Sequence, residues 1–259
     1  RPALPGASMV MSCTSLSEWF SGTQGGYVLR WEQAHIDAIV SDVFGYNAMQ
    51  VGLPGHELLR ASRIAHRFKL ETECSRGGAA VYAEATGLPI ATASVDLVVL
   101  PHVLEFSREP HRILREVERV LVPDGSLVLT AFNPFSLFGA RRVFSRSSGG
   151  WPWRGHYFSV PRVRDWLTLL GFETPPGVFG CYAPPVRTQK WLDRWQFLER
   201  AGNRWWPVCG GCFVLHGIKR VHGMRLITPQ WKAEAVPAKR LTPVSRRGRG
   251  GVITHKDEE

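Results

Sequence analysis

The chain has 259 residues, 44% hydrophobic and 21% charged, enough for one large domain with appendages. No apolar run reaches the length of a membrane-crossing helix, and the opening RPALPGASMVMSC lacks the apolar core of a secretory signal. The five cysteines, at 13, 74, 181, 209 and 212, form no disulfide framework, so a reducing, cytoplasmic setting is expected, and the net charge of +10 favours anionic partners over cationic ones.

Residues 12–22 read as a short helix carrying Leu16, Trp19 and Phe20, broken by Gly22, Gly25 and Gly26. A longer helix over Tyr27–Phe44 presents Leu29, Ala34, Ile36, Ile39, Val40 and Val43 at helical spacing. Asn47–Leu53 is the first expected strand, turning through Gln50-Val51-Gly52-Leu53-Pro54-Gly55. His56–His66 is an expected helix, Phe68–Glu71 a second strand, and Val81–Ala83 a third strand that ends at Glu84.

Val95–Leu100 and Ser126–Phe132 are short, rich in β-branched residues and uncharged apart from Asp96, as strands buried on both faces are. The helix between them sets Ile113, Leu114, Val117, Val120 and Leu121 on one face, with Ser107 as its expected cap and Pro110 in its first turn. It should stop at Val122-Pro123-Asp124-Gly125, a type I turn. Strand, helix, strand implies a right-handed crossover and a parallel sheet, whose ligands sit beyond the carboxyl ends of the strands.

After Pro134 the chain changes character. Residues 125–164 hold six arginines, at 141, 142, 146, 154, 162 and 164, and no acid, interleaved with Trp151, Trp153, Tyr157 and several phenylalanines. Ser147–Gly150 reads as a loop and Val160–Leu170 as a helix closed by Gly171. Phe172–Tyr182 is interrupted by Pro175 and Pro176 and is expected at a sheet edge. Thr188–Ala201 is helical, with Trp191, Leu192, Trp195 and Leu198 on one stripe, and Phe213–Val221 closes the sheet antiparallel. Cys209-Gly-Gly-Cys212 has no second pair or neighbouring histidines, so it reads as two small residues at a strand start, and no metal is expected. From about Gly223 the periodicity ends, and 237–259 has the composition of a disordered tail.

Glu84, Leu88-Pro89, Ser94–Val98, Leu114-Arg115-Glu116, Arg119–Gly125 and Ser126–Phe132 stand in the order and spacing of a class I S-adenosylmethionine-dependent methyltransferase core. The resemblance is best over about fifty residues within Val81–Pro134 and extends over roughly 45–220. It implies an α/β, doubly wound, Rossmann-like sheet of seven mostly parallel strands with an antiparallel last strand. It also implies a domain over 12–223, comprising N-terminal helices 12–45, a core 46–134 and a substrate-side segment 135–223, followed by a basic tail 224–259. Asp124 replaces the first glycine of the family's turn, and the glycine-rich loop departs further. The family has an acid and three alternating glycines there; this chain has Gln50, Gly52 and Gly55 and is one residue short.

By position, the resemblance implies cofactor contacts at Gln50, Gly52, Gly55, Glu71, Glu84, Ala85 and Leu100. Glu71, or Glu73, would take the ribose hydroxyls and Glu84 the adenine amino group. His102 and His156 are the candidate bases, and a cofactor or structural contact is the other reading of His102. Asn133, Arg141, Arg142, Arg154 and Tyr157 are the candidates for the acceptor. The implied reaction is methyl transfer from S-adenosyl-L-methionine to an unidentified, anionic small molecule or lipid-type acceptor. Two further readings stay open: a binding or regulatory module without transferase activity, and a nucleic-acid methyltransferase. Leu100-Pro101-His102-Val103 stands where base-modifying relatives carry Asn/Asp-Pro-Pro-aromatic, which counts against the last.

Overall fold

The computed structural model of the chain describes residues 10–53, 55–71, 81–144, 150–185, 190, 194–195 and 197–221. The tail expected to be disordered, Glu73, Pro54, Arg146, Thr188, Trp191 and Leu192 lie outside these residues. Helices α1 (Val10–Ser21) and α2 (Thr23–Val40) precede the sheet. Five strands run parallel: β1 (Asn47–Val51), β2 (His66–Glu71), β3 (Val81–Tyr82), β4 (Val95–Pro101) and β5 (Leu121–Phe132). Helix α3 (Pro110–Val120) joins β4 to β5, and α4 (Leu137–Phe144) and α5 (Val160–Leu169) follow. Strands β6 (Phe172–Glu173) and β7 (Val178–Gly180), helix α6 (Phe197–Trp205) and strand β8 (Cys212–Lys219) complete the unit.

The strand order is β3-β2-β1-β4-β5-β8-β6, with β8 antiparallel to β5. β6 and β7 both pair with β8, so the two form one interrupted edge strand and the sheet has seven positions among the described residues. The break holds Pro175 and Pro176, which cannot donate to a ladder. This is the doubly wound, mostly parallel architecture with an antiparallel last strand expected from the sequence.

β4 shows why helices cover both faces. Val98 and Leu100 pack with Ile113, Leu114 and Val117 of α3 and Val163 of α5, whereas Leu97 and Val99 pack with Ile36 and Val40 of α2. Alternate residues thus face opposite layers, as the period of a strand requires. The sequence motifs also have physical work here. The Asp96 carboxylate accepts the Tyr46 and Asn47 amides at 2.8 and 2.9 Å, fixing the start of β1. The Arg119 guanidinium donates to the Leu88 and Ile90 carbonyls and to Glu116, which holds the β3–β4 connection against α3.

Four local expectations are corrected. His56–His66 is not helical: residues 55–65 are turns, although Leu58, Leu59 and Ile64 are buried as a helix face would be. The Gln50 side chain gathers the first part of this connection, as described below. Ser107 does not cap α3; its hydroxyl accepts the amide of Glu109, the residue just before the helix, which starts at Pro110. Val122–Gly125 is not a turn that ends a helix. Leu121 already pairs with Val95 and the ladder resumes at Leu97 with Ser126, so 122–125 bulge from β5, with Asp124 left-handed at φ 60°.

Nor do Gly25 and Gly26 break a helix, for both lie inside α2. A side chain at Gly25 would run into the Trp19 carbonyl and Phe20 backbone, so glycine there permits close packing of α1 on α2. Gly25→Ala should therefore cost about 1–3 kcal/mol by overpacking. Urea unfolding of the variant checks this, and a gain in stability, the usual helix-interior result for Gly→Ala, would show that α1 does not seat there.

Candidate active site

The ladder runs one residue past β1, β3, β4 and β5 and sets a row of backbone groups at their carboxyl ends. Gly52 donates to the Leu70 carbonyl, Ala83 to Glu71, His102 to Thr130 and Asn133 to Gly211, at 2.9 to 3.0 Å. Gly52 has φ 87°, and a side chain there would meet Val103 at 3.0 Å, so this turn needs glycine.

The loop after β1 is organised by Gln50, which is fully buried. Its amide nitrogen donates to the Gly52, Leu53 and His56 carbonyls at 3.0, 3.0 and 2.9 Å, and its oxygen accepts the Leu58 amide at 3.0 Å. A glutamine can do both because its amide carries donors and an acceptor. Gln50, expected at the cofactor, spends its side chain on the loop in this structure.

At the end of β4 stands His102, left-handed at φ 51° and 1% exposed. Its Nε2 lies 2.7 Å from Glu32 of α2 and its Nδ1 3.0 Å from Glu105, all three side chains being wholly buried. Burial pulls the imidazole pKa down, but Glu32 and Glu105 outweigh it and raise the value to about 10. His102 is therefore an imidazolium between two carboxylates at neutral pH, and neither nitrogen is free to take a proton. The same Glu105 oxygen accepts the Phe132 amide at 2.5 Å, which ties the ends of β4 and β5 together. Glu32 was missed from the sequence. A signal existed: Val28, Glu32, Ile36 and Val40 are one stripe at four-residue spacing, so an acid stands on the buried face of α2.

Aromatic rings pack above this triad. Phe20 of α1 lies 5.2 Å from the His102 ring and 6.2 Å from that of His56, and Trp19 lies 5.7 Å from Phe132. Phe132 stacks on Tyr157 at 5.2 Å and on Phe138 at 5.9 Å. Helix α1 thus inserts Phe20 between the β1 loop and the end of β4.

Beside these rings a cavity of about 880 Å³ is formed by the segments that follow β4 and β5 and by α5. Trp151, Trp166, Phe106 and Phe158 supply apolar walls, and Arg108, His111, Arg154, His156 and Arg162 supply positive or basic groups. Glu105 is the one acid of the lining, and it is engaged by His102 and Phe132. The Arg162 guanidinium lies over the Trp166 ring at 5.4 Å, with His111 on the same ring at 4.1 Å. The size is that of a small-molecule site.

Residues 58–129 match the family model for a methyltransferase domain. The chain has the fold of class I methyltransferases and matches their family model over that stretch. It is 34% identical over 132 residues to an uncharacterised protein, YafS, of Escherichia coli, covering 51% of this chain and 54% of that protein. It is 31% identical over 120 residues to a malonyl-[acyl-carrier protein] O-methyltransferase of Laribacter hongkongensis, covering 46% of this chain and 40% of that one. The aligned stretches thus span about half or less of these curated relatives. A solved SAM-dependent methyltransferase of Thermotoga maritima superposes with a TM-score of 0.55 at 18% identity, over 79% of this chain and 99% of that one.

Within this domain the expected site residues separate into groups. Glu71 is buried at the end of β2, Glu84 is exposed just past β3, and Gly52 and Gly55 border the β1 loop, with Gly55 close to Ser17 of α1. Ala85 and Leu100 belong to the core beneath these ends. Asn133 is closed off: its amide donates to the Val208 and Gly210 carbonyls at 2.7 and 2.9 Å, and its oxygen accepts the Phe135 amide. Arg141 lies over Trp153 at 5.0 Å and donates to the Pro185 carbonyl. Arg142 lies over Tyr157 at 5.1 Å and donates to the Gly155 carbonyl at 2.5 Å. Tyr157 is buried; Arg154 and His156 line the cavity. Arg108, His111 and Arg162 join them there. Arg162 was one of the six arginines counted from the sequence; Arg108 and His111 carried no signal there, because the start of α3 meets α5 only in the folded domain.

Proposed function

We propose that this chain transfers a methyl group from S-adenosylmethionine to a carboxylate-bearing acceptor held in the 880 Å³ cavity. The observation that carries the reading is the lining of that cavity, basic and aromatic, with its one acid already engaged. Arginine binds carboxylate bidentately, so Arg108, Arg154 and Arg162 suit such an acceptor. The malonyl-carrier O-methyltransferase that the chain is similar to acts, by its name, on an acceptor of this class.

The residues at the strand ends fit the adenosine half of the cofactor. Buried Glu71 would hold the ribose, Glu84 the adenine amino group, and Gly52 gives the close backbone approach. The other half falls at the β1 and β4 ends, where Phe20 stands, so entry requires α1 to shift. The bound cofactor supplies an activated methyl group on a sulfonium. The protein's part is to align the acceptor and keep water out, for which the stacked rings of Phe132 and Tyr157 stand at the end of β5. A carboxylate nucleophile has no proton to lose, so the locked imidazolium of His102 is no handicap. Its role is positioning, since it joins α2, β4 and, through Glu105, β5. His156, whose amide donates to the Glu105 carbonyl at 2.6 Å, is the basic side chain of the cavity available to an acceptor that does carry a proton.

Phe20 and the rebuilt β1 loop favour a second reading, a binding module without transfer. Calorimetry with S-adenosylhomocysteine separates the two. Binding, followed by transfer of labelled methyl onto malonyl thioesters, is the expected result. Arg108→Gln with Arg162→Gln should then raise the acceptor KM roughly tenfold while leaving S-adenosylhomocysteine affinity unchanged. No binding of either cofactor form at millimolar concentration would overturn the enzyme reading, and an unchanged KM would overturn the acceptor site.

A further inference from the structure

We propose that helix α4 and the Trp205–Val208 turn form a docking surface for an anionic lipid bilayer. The proposal does not depend on methyl transfer.

Helix α4 is amphipathic the wrong way round for a helix facing water. Phe138 and Gly139 are its buried residues, packed against Gly211 and Pro134. The outward stripe is Leu137, Ala140, Val143 and Phe144, all exposed, and Phe144 is 88% exposed. A surface helix normally places polar residues there. The arginines of this helix lie to the side, with Arg141 over Trp153 and Arg142 over Tyr157. Phe135, just before the helix, is 67% exposed.

The second part of the surface is adjacent. Asn133 donates to the Val208 and Gly210 carbonyls, which fixes the Trp205–Val208 turn next to the segment leading into α4. Trp205 and Trp206 are 69% and 59% exposed there. Exposed aromatic and aliphatic side chains gathered on adjoining segments mark an interaction site, whereas scattered ones do not.

Charge selects the occupant. Residues 133–144 and 200–211, which carry these two segments, contain no aspartate or glutamate. A protein partner of ordinary surface would meet unopposed arginines, including exposed Arg204. An anionic leaflet complements both features, since apolar side chains enter the acyl boundary while cations stay with the headgroups. Tryptophan is suited to that boundary.

The test is cosedimentation of the full chain with phosphatidylcholine vesicles, with and without phosphatidylserine. Binding to the mixed vesicles, weakened by salt, is expected. Phe144→Gln with Trp206→Gln should lower the vesicle partition coefficient roughly tenfold or more, with the unfolding midpoint unchanged because both side chains are exposed. Leu169→Gln is the control: Leu169 is also exposed but precedes β6, which pairs with the far end of β8, and it should bind as the parent does. Failure of the full chain to bind mixed vesicles overturns the proposal, whether or not it dimerises or binds RNA instead. Equal binding by the double variant also overturns it, since basic segments elsewhere would then be responsible.

Discussion

Replacing His102 by asparagine is expected to cost about 3–5 kcal/mol of stability at neutral pH, the usual loss when one partner leaves a buried charge group. Asparagine tolerates the left-handed backbone found at this position, so the loss reports the charge and not the turn. Glu32 and Glu105 would then face one another's surroundings without the cation that joins them. The parent should also lose stability as pH rises, with a sign that follows from the imidazole. Burial lowers its pKa, Glu32 and Glu105 raise it further, and the net value is about 10 against an ordinary 6.5. Its contribution is therefore full below about 6.5 and declines as pH climbs through about 10. Between the two, each unit of pH removes up to about 1.4 kcal/mol. Glu32 and Glu105 would take up protons once the cation is gone, so the reference for the pH dependence is the neutral triple variant His102→Asn, Glu32→Gln, Glu105→Gln. Cys181, Cys212 and the buried tyrosines titrate in it as in the parent, and the difference in slope between these two proteins isolates the triad. Urea unfolding from pH 6 to 9 gives that difference. Equal slopes, or a loss well under about 1 kcal/mol, would show that the triad is not an ion group.

Gln50→Glu, which restores the acid usual in the family, is expected to damage the domain and not to repair its cofactor site. The glutamine amide faces three carbonyl oxygens, and a carboxylate has no donor for them. The fully buried charge would stand among like dipoles, at a cost of about 3–5 kcal/mol. Burial and those carbonyls would raise the new carboxyl's pKa, so the defect should shrink as acid protonates it. Stability by urea unfolding at pH 5 and pH 8, with calorimetry against S-adenosylhomocysteine, reads both effects. A variant as stable as the parent that binds the cofactor more tightly would mean that Gln50 is simply a lost ligand.

Gln50 also shows where sequence reading stops. The missing acid and shortened glycine spacing were visible as a departure, but not that the glutamine gathers the loop up to Leu58, where turns stand in place of a helix. Periodicity identified Leu58, Leu59 and Ile64 as core residues, and they are, yet the same spacing did not require helical backbone. The number of hydrogen bonds one side chain makes to a distant turn leaves no period in a sequence.

What the sequence determined by itself is the sheet and its helical cover. The β-branched run of β4, the apolar stripe of α3 and the proline break before β7 are local patterns, and each acts through burial or backbone chemistry that neighbouring residues dictate. What the tertiary structure decided is which charged and aromatic groups meet. Glu32 and His102 are seventy positions apart and touch because α2 crosses the end of β4. Arg141 and Arg142 turn onto Trp153 and Tyr157, whereas Arg108 and Arg162, on segments far apart in the chain, face one cavity. Apolar burial is averaged over many residues and so is written redundantly along the chain. A polar site rests on single pairs whose partners are chosen only when the layers close.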